Sequence, residues 1–162
     1  MPGSLDRLEE TLGVRFSDRA LLVRALTHHS ATASDGRQES YDTLEFLGDA
    51  LIAAQVVEHI FRTYPDAAEG EMTALKSEVV SRRVLAQIGR RLELDGYVRV
   101  DVAALRTFNE RSRLSLCADA LEALVAAIHL DQGRDVADAF IAREILPIVP
   151  AVRATLGEND PK

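Results

Sequence analysis

Residues 41–61 read YDTLEFLGDALIAAQVVEHIF, and residues 113–130 read RLSLCADALEALVAAIHL. In the first stretch apolar side chains cover most of a helical circumference, among them Leu44, Phe46, Leu47, Leu51, Ile52, Val56, Val57, Ile60 and Phe61. Such a helix is expected to be buried on nearly every side. Glu45 and Asp49 interrupt the pattern at i and i+4, which puts both carboxylates on one face about a turn apart. The second stretch repeats the anomaly. From Leu114 to Leu130 its polar positions are Ser115, Asp119, Glu122 and His129, and Asp119 and Glu122, at i and i+3, share a face.

Taking an ionised carboxylate out of water costs several kcal/mol unless a positive charge compensates it. No Lys or Arg occurs from Ser40 to Phe61 or from Leu114 to Gly133, so neither helix can neutralise its own acids. Three resolutions stand open: arginines from elsewhere in the chain, protonation of some acids, or a divalent cation. If the two faces meet, four oxygen-ligand side chains without Cys or a neighbouring His make a hard site, suited to Mg²⁺ or Mn²⁺ and poorly to zinc. Carboxylate-only sites serve the in-line hydrolysis of phosphate esters.

Outward from these helices the periodicity stays helical and no run of strand-like alternation occurs, so the expected class is all-α. Ser4 reads as the cap of a helix through Leu5, Leu8 and Leu12 that ends at Gly13, and Ser17 as the cap of a second. A polar loop is expected over 30–40, a long helix over 41–61, and a helix through Thr73, Leu75 and Val79. Another starts at Ser81 and ends near Gly96. The apolar helix from Leu114 stops at Gly133, and a further one spans 134–146. Pro147 and Pro150 then lead to a short tail. No repeat or linker divides the chain.

Composition sets outer limits. Of 162 residues, 47% are hydrophobic and 28% charged, as in one folded, soluble domain. The single Cys117 excludes an intrachain disulfide and an all-cysteine zinc site. The first thirty residues carry no signal-peptide pattern, which reads as cytoplasmic, and acids interrupt every apolar run before the ~20 residues of a membrane span. The net charge of −7 and the absence of Trp argue against nucleic-acid binding. Yet residues 72–115 carry nine basic side chains against five acidic ones, between two acidic blocks. Spacing alone leaves this band as either an anion-binding surface or a solvated face with ordinary ion pairs. His28 and His29 read as a cap or a core hydrogen bond rather than a catalytic base. Cys117 reads as a small core residue, and Ser115 as either a ligand-orienting or a satisfied helix hydroxyl.

The stretch Asp42-Thr43-Leu44-Glu45-Phe46-Leu47-Gly48-Asp49-Ala50 resembles, at every position, the signature of the ribonuclease III family. CADALEALVAAIHLDQG (117–133) is similar to that family's second acidic motif. ALTHHS (25–30), EGEMTALKSEVVSRRVLAQIGRRL (69–92) and Arg113-x-Ser115-x-x-Ala118-Asp119 follow in the family's order. The resemblance covers roughly residues 5–150. It implies an all-helical endonuclease domain over 1–150, with 151–162 a tail in which Asp160-Pro161-Lys162 resembles the start of a linker. Bacterial members usually continue into a double-stranded-RNA-binding domain, whose sequence is not among these residues.

The resemblance further implies a cytoplasmic homodimer whose two sites line one valley. Each cuts one strand of double-stranded RNA, in RNA processing such as rRNA maturation, leaving 5′-phosphate and 3′-hydroxyl ends. Glu45, Asp49, Asp119 and Glu122 would bind the catalytic Mg²⁺, for which Mn²⁺ substitutes, with Asp49 and Glu122 tied most directly to hydrolysis. Glu69 would reach the site from a loop, and Asp42 would lie at the dimer interface. Arg106, Arg111 and Arg113 fall in ALRTFNERSR, where the family commonly has a Lys-Ser-Gly-Gly-like loop, and would contact RNA. Duplex RNA is bound through phosphates and 2′-hydroxyls, which needs no aromatic platform. Two other classes are weaker. A catalytically inactive RNA-binding or ribosome-associated protein has no use for all four acids. An iron-binding carboxylate bundle needs Glu-x-x-His pairs that this chain lacks.

Overall fold

The computed structural model describes residues 3–32 and 39–160. These residues form nine α-helices: α1 (Leu5–Leu12), α2 (Arg19–Ala25), α3 (Asp42–Thr63), α4 (Glu69–Val79), α5 (Arg82–Arg91), α6 (Val102–Thr107), α7 (Glu110–Gln132), α8 (Arg134–Glu144) and α9 (Val149–Glu158). The class is all-α. The only strand-like pairing among the described residues is an isolated parallel bridge between Thr27 and Arg99. No helix among them is long and apolar enough to cross a membrane.

The axis of the fold is α7, in which every residue from Leu116 to Ile128 except Asp119 is buried. It packs against α3 and α5, with α8 and α2 completing its surroundings and α9 docked on α4. Truncating one such core Leu to Ala typically costs about 2–5 kcal/mol. Two glycines let the helices close on the axis. A Cβ on Gly48 of α3 would stand 1.7 Å from the Glu122 carbonyl oxygen, and one on Gly89 of α5 would stand 2.7 Å from that of Cys117.

Burial on nearly every side describes α7 but not α3. Leu44, Leu51, Ile52, Val56 and Ile60 face inward, whereas Phe46 is 84% exposed and Phe61 67%. The helix ends differ from expectation in several places. Ser4 and Ser81 cap α1 and α5 as predicted, but Asp18 caps α2, its carboxylate accepting from the Ala20 amide while the amides of Ser17 and Asp18 both donate to the Asp131 carboxylate. Helix α5 stops at Arg91 rather than near Gly96. Glu93 adopts a left-handed φ of 61° and the chain turns through a short 3-10 segment at Leu94–Gly96. Asn109 starts α7 earlier than expected.

Pro147 and Pro150 begin elements instead of ending them, since a proline in the first helical turn removes an N–H that has no partner there. Most of the expected tail is therefore α9. His28 caps a 3-10 turn at His29–Ala31, accepting from the Ser30 amide at 3.1 Å and pairing with its hydroxyl at 2.7 Å. Of the polar loop expected over 30–40, positions 33–38 lie outside the described residues, as do Pro161 and Lys162.

Candidate metal centre

The closest approach of α3 to α7 falls at Gly48 and the Glu122 carbonyl. It sets the turn bearing Glu45 beside the turn bearing Asp119 and Glu122. Ligand oxygens of Glu45, Asp119 and Glu122 all lie within 4.8 Å of one another. Glu122 is buried, the Asp119 side chain is 14% exposed and Glu45 is half-buried. Asp49 is exposed and stays outside this trio, one turn further along α3, although its charge reaches Glu122.

Burial makes each of the three acids hold its proton harder, and neighbouring carboxylates add to this at Glu45 and Glu122. Burial, then the charges of Asp49, Glu45 and Asp119, push Glu122 up to about 8. Burial likewise raises Glu45 and Asp119, which face each other. The Tyr41 phenol, 3% exposed beside Asp119 and Glu45, is pushed well above its ordinary value by burial and by those acids. One arginine from elsewhere in the chain answers the sequence's demand for a compensating charge. Arg82 Nη1 stands 3.6 Å from Asp119 Oδ1, an oxygen that is fully buried and has no hydrogen-bond partner among the described residues.

The donor set fits a hard divalent cation: carboxylate oxygens only, one of them buried without a hydrogen bond, and proton affinities raised chiefly by burial. An open cleft of about 320 Å³, lined by His28, His29, Tyr41, Phe108, Ser115 and Asp119 among others, leads to it.

The remaining predicted residues fall on the rim or away from it. Asp42 opens α3, its carboxylate 3.7 Å from His29 Nδ1, and its charge acts on Glu45 and Asp119. Glu69 is the first residue of α4 rather than part of a loop. It is exposed, accepts from the Thr73 hydroxyl at 3.1 Å, and is not in the trio. Arg106, Arg111 and Arg113 are all exposed, the first on α6 and the others in the opening turns of α7.

Three contributors had not been singled out from sequence. Gly48 carried a signal, because a glycine inside a helix costs about 1 kcal/mol and marks a close approach. Tyr41 and Arg82 carried none beyond their places before α3 and in the basic band.

Comparison with known proteins places this arrangement in a family. The model of the Ribonuclease-III-like family matches residues 18–149. Ribonuclease 3 of Streptomyces coelicolor is 40% identical over 88% of this chain and 51% of its own length. Ribonuclease 3 of Clostridium acetobutylicum is 42% identical over 86% of this chain and 60% of its own. The chain thus spans little more than half the length of these curated relatives. Among solved structures, the nuclease domain of ribonuclease III from Campylobacter jejuni superposes with a TM-score of 0.81 at 33% identity, covering 91% of this chain and 99% of that one. By the motif around Glu45, the α3–α7 geometry and these matches together, the chain belongs to the Ribonuclease-III-like family.

Proposed function

We propose that this chain is the catalytic domain of a metal-dependent endoribonuclease that hydrolyses phosphodiester bonds of double-stranded RNA to 5′-phosphate and 3′-hydroxyl ends, in cytoplasmic RNA processing. The observation that carries the reading is the trio Glu45, Asp119 and Glu122, drawn together from two apolar helices, with one buried oxygen left without a hydrogen bond. Residues 1–150 are read as the nuclease domain, and 151–162 as its C-terminal extension.

Glu45, Asp119 and Glu122 would hold Mg²⁺, or Mn²⁺ in its place, with Asp49 reaching in from the next turn of α3. A metal held there would supply Lewis-acid stabilisation of the phosphate and an activated water for in-line attack. The chain's own residues prepare for this. Glu122 and the Glu45–Asp119 pair, whose proton affinities burial raises, would give up protons to a bound cation, and Tyr41 lies buried beside Asp119. Exposed Arg106, Arg111 and Arg113 would hold the RNA backbone, which the acids alone repel.

The second strand is cut by a second copy. Helix α3 offers an outward apolar row at Phe46, Ala50, Ala54, Val57 and Phe61, all exposed. The Campylobacter jejuni nuclease domain is described with a flexible region involved in dimer formation. Asp42 lies at the start of this same helix, near that interface.

The deciding experiment is cleavage of a long RNA duplex with end mapping. Duplex cutting with short 3′ overhangs, lost in EDTA and in Asp49→Asn or Glu122→Gln, is expected. Recessed 3′ ends, cutting confined to single strands, or activity that survives EDTA would overturn the reading.

A further inference from the structure

Arg82 is the first residue of α5, set in place by the Ser81 cap, and its side chain crosses to α7. There its Nη1 donates to the Ser115 hydroxyl at 2.9 Å and stands 3.6 Å from Asp119 Oδ1. Ser115 lies one turn before Asp119 and donates its own hydroxyl proton to the Arg111 carbonyl at 3.1 Å. That leaves its lone pairs free to accept from the guanidinium. The arrangement is a tether rather than a lock. The hydrogen bond goes to serine, the carboxylate oxygen is left without one, and the Arg82 side chain is 55% exposed.

The charge of Arg82 nevertheless acts on all three acids of the trio, opposing the raised proton affinity of Glu45, Asp119 and Glu122 alike. A bidentate arginine would be costly to move from a carboxylate. A single-contact arginine with an open path to solvent is easily displaced. The same positive charge that relieves three crowded carboxylates repels a dication entering among them.

We propose that Arg82 is a resident counter-cation of the carboxylate cluster, held on Ser115 against Asp119, that supports the cluster without metal and competes with the divalent metal for it. The proposal rests on the reading of Glu45, Asp119 and Glu122 as a metal site. It makes Arg82 a positioning residue that sets metal affinity, and it gives Ser115 the task of holding the arginine.

The test is Mg²⁺ binding to the 162-residue chain by titration calorimetry without RNA, repeated with Mn²⁺ followed by its EPR signal. Arg82→Gln is expected to bind about three- to tenfold more tightly than the wild type, the order for a half-exposed charge near a dication. Its melting temperature in EDTA is expected to be lower. Arg82→Lys keeps the charge and should return affinity toward the wild-type value. Ser115→Ala loosens the tether and should tighten binding by less than Arg82→Gln does. Unchanged or weaker binding by Arg82→Gln, beside normal wild-type binding that Glu122→Gln removes, overturns the role of the arginine alone. A wild-type chain that takes up neither ion overturns the metal reading and this inference with it.

Discussion

Gly48 determines whether the site can exist. With a Cβ 1.7 Å from the Glu122 carbonyl, Gly48→Ala must push α3 away from α7, and the neighbour it meets is backbone, which cannot rotate aside. Overpacking of this kind typically costs 1–3 kcal/mol and more where nothing can yield. Chemical denaturation should therefore show a loss of about 3 kcal/mol or more. Gly70→Ala, in the first turn of α4 with nothing within 4 Å, is the control. It should be neutral or stabilising by up to about 1 kcal/mol. A Gly48→Ala chain as stable as the wild type would contradict the close approach. Glu122 carries a second expectation. With its carboxyl pushed up to about 8 from an ordinary 4.5, the folded chain holds a proton between those values that the unfolded chain has released. In EDTA, its contribution to stability is thus fully present at low pH and falls as pH rises through that window. The raised Glu45 and Asp119 add in the same direction. Mg²⁺ affinity moves the other way, rising up to about tenfold per pH unit below about 8 for one displaced proton. Thermal melts in EDTA from pH 5 to 9 check the sign, and Glu122→Gln should flatten the decline.

Helices stand or fall with their ends, and one carboxylate ties the start of α2 to the end of α7. Asp131 accepts from the Ser17 amide at 2.9 Å and the Asp18 amide at 2.8 Å, linking segments far apart in sequence. Burial works against its charge, but hydrogen bonds from Gln132, Asp18 and Ser17 hold its carboxyl below the ordinary range. Asp131→Ala should cost about 1–2 kcal/mol, the order for losing hydrogen bonds to one charged group. That stabilisation should be present above the ordinary carboxylate pKa and disappear as pH falls through the lowered one. This joint also marks where reading the sequence runs out. Ser17 is a good cap by residue type, yet the structure uses Asp18, while the Ser17 amide donates to a carboxylate 114 residues away. The cores of α1, α3, α5 and α7 were legible because their periodicity is local, and burial cost flagged Glu45 and Asp119 as acids in need of a partner while leaving open whether their two faces meet. The displaced Asp49, the helical start of α4 at Glu69 and the reach of Arg82 to Ser115 were not legible. Each depends on how two elements sit together, which no local pattern encodes. Pro150 misled for a related reason: a proline that begins a helix and one that ends it look alike without the next turn's contacts.

At the scale of the whole molecule, the net charge of −7 is an average that hides arrangement. Three acids are spent in one cluster, while exposed Arg106, Arg111 and Arg113 stand in the basic middle of the chain. The apolar surface shows a comparable unevenness. Phe46, Ala50, Ala54, Val57 and Phe61 follow one another at helical spacing along the outward side of α3, with Phe46 84% and Phe61 67% exposed. Contiguous exposed apolar surface of this kind marks an interaction site, and the commonest partner is a second copy across a two-fold axis, where the same row meets itself. Placing a charge at its most exposed point separates fold from assembly. Phe46→Asp touches no core position, so its denaturation midpoint as a monomer should reflect less than about 0.5 kcal/mol of intrinsic change. Burying two unpaired aspartates across the interface, in contrast, is expected to shift sedimentation from dimer to monomer. A wild-type chain that sediments as a monomer at tens of micromolar, or a Phe46→Asp chain that remains a dimer, would rule out this face as the dimer seam. The proposed two-strand cleavage would then lack its second site.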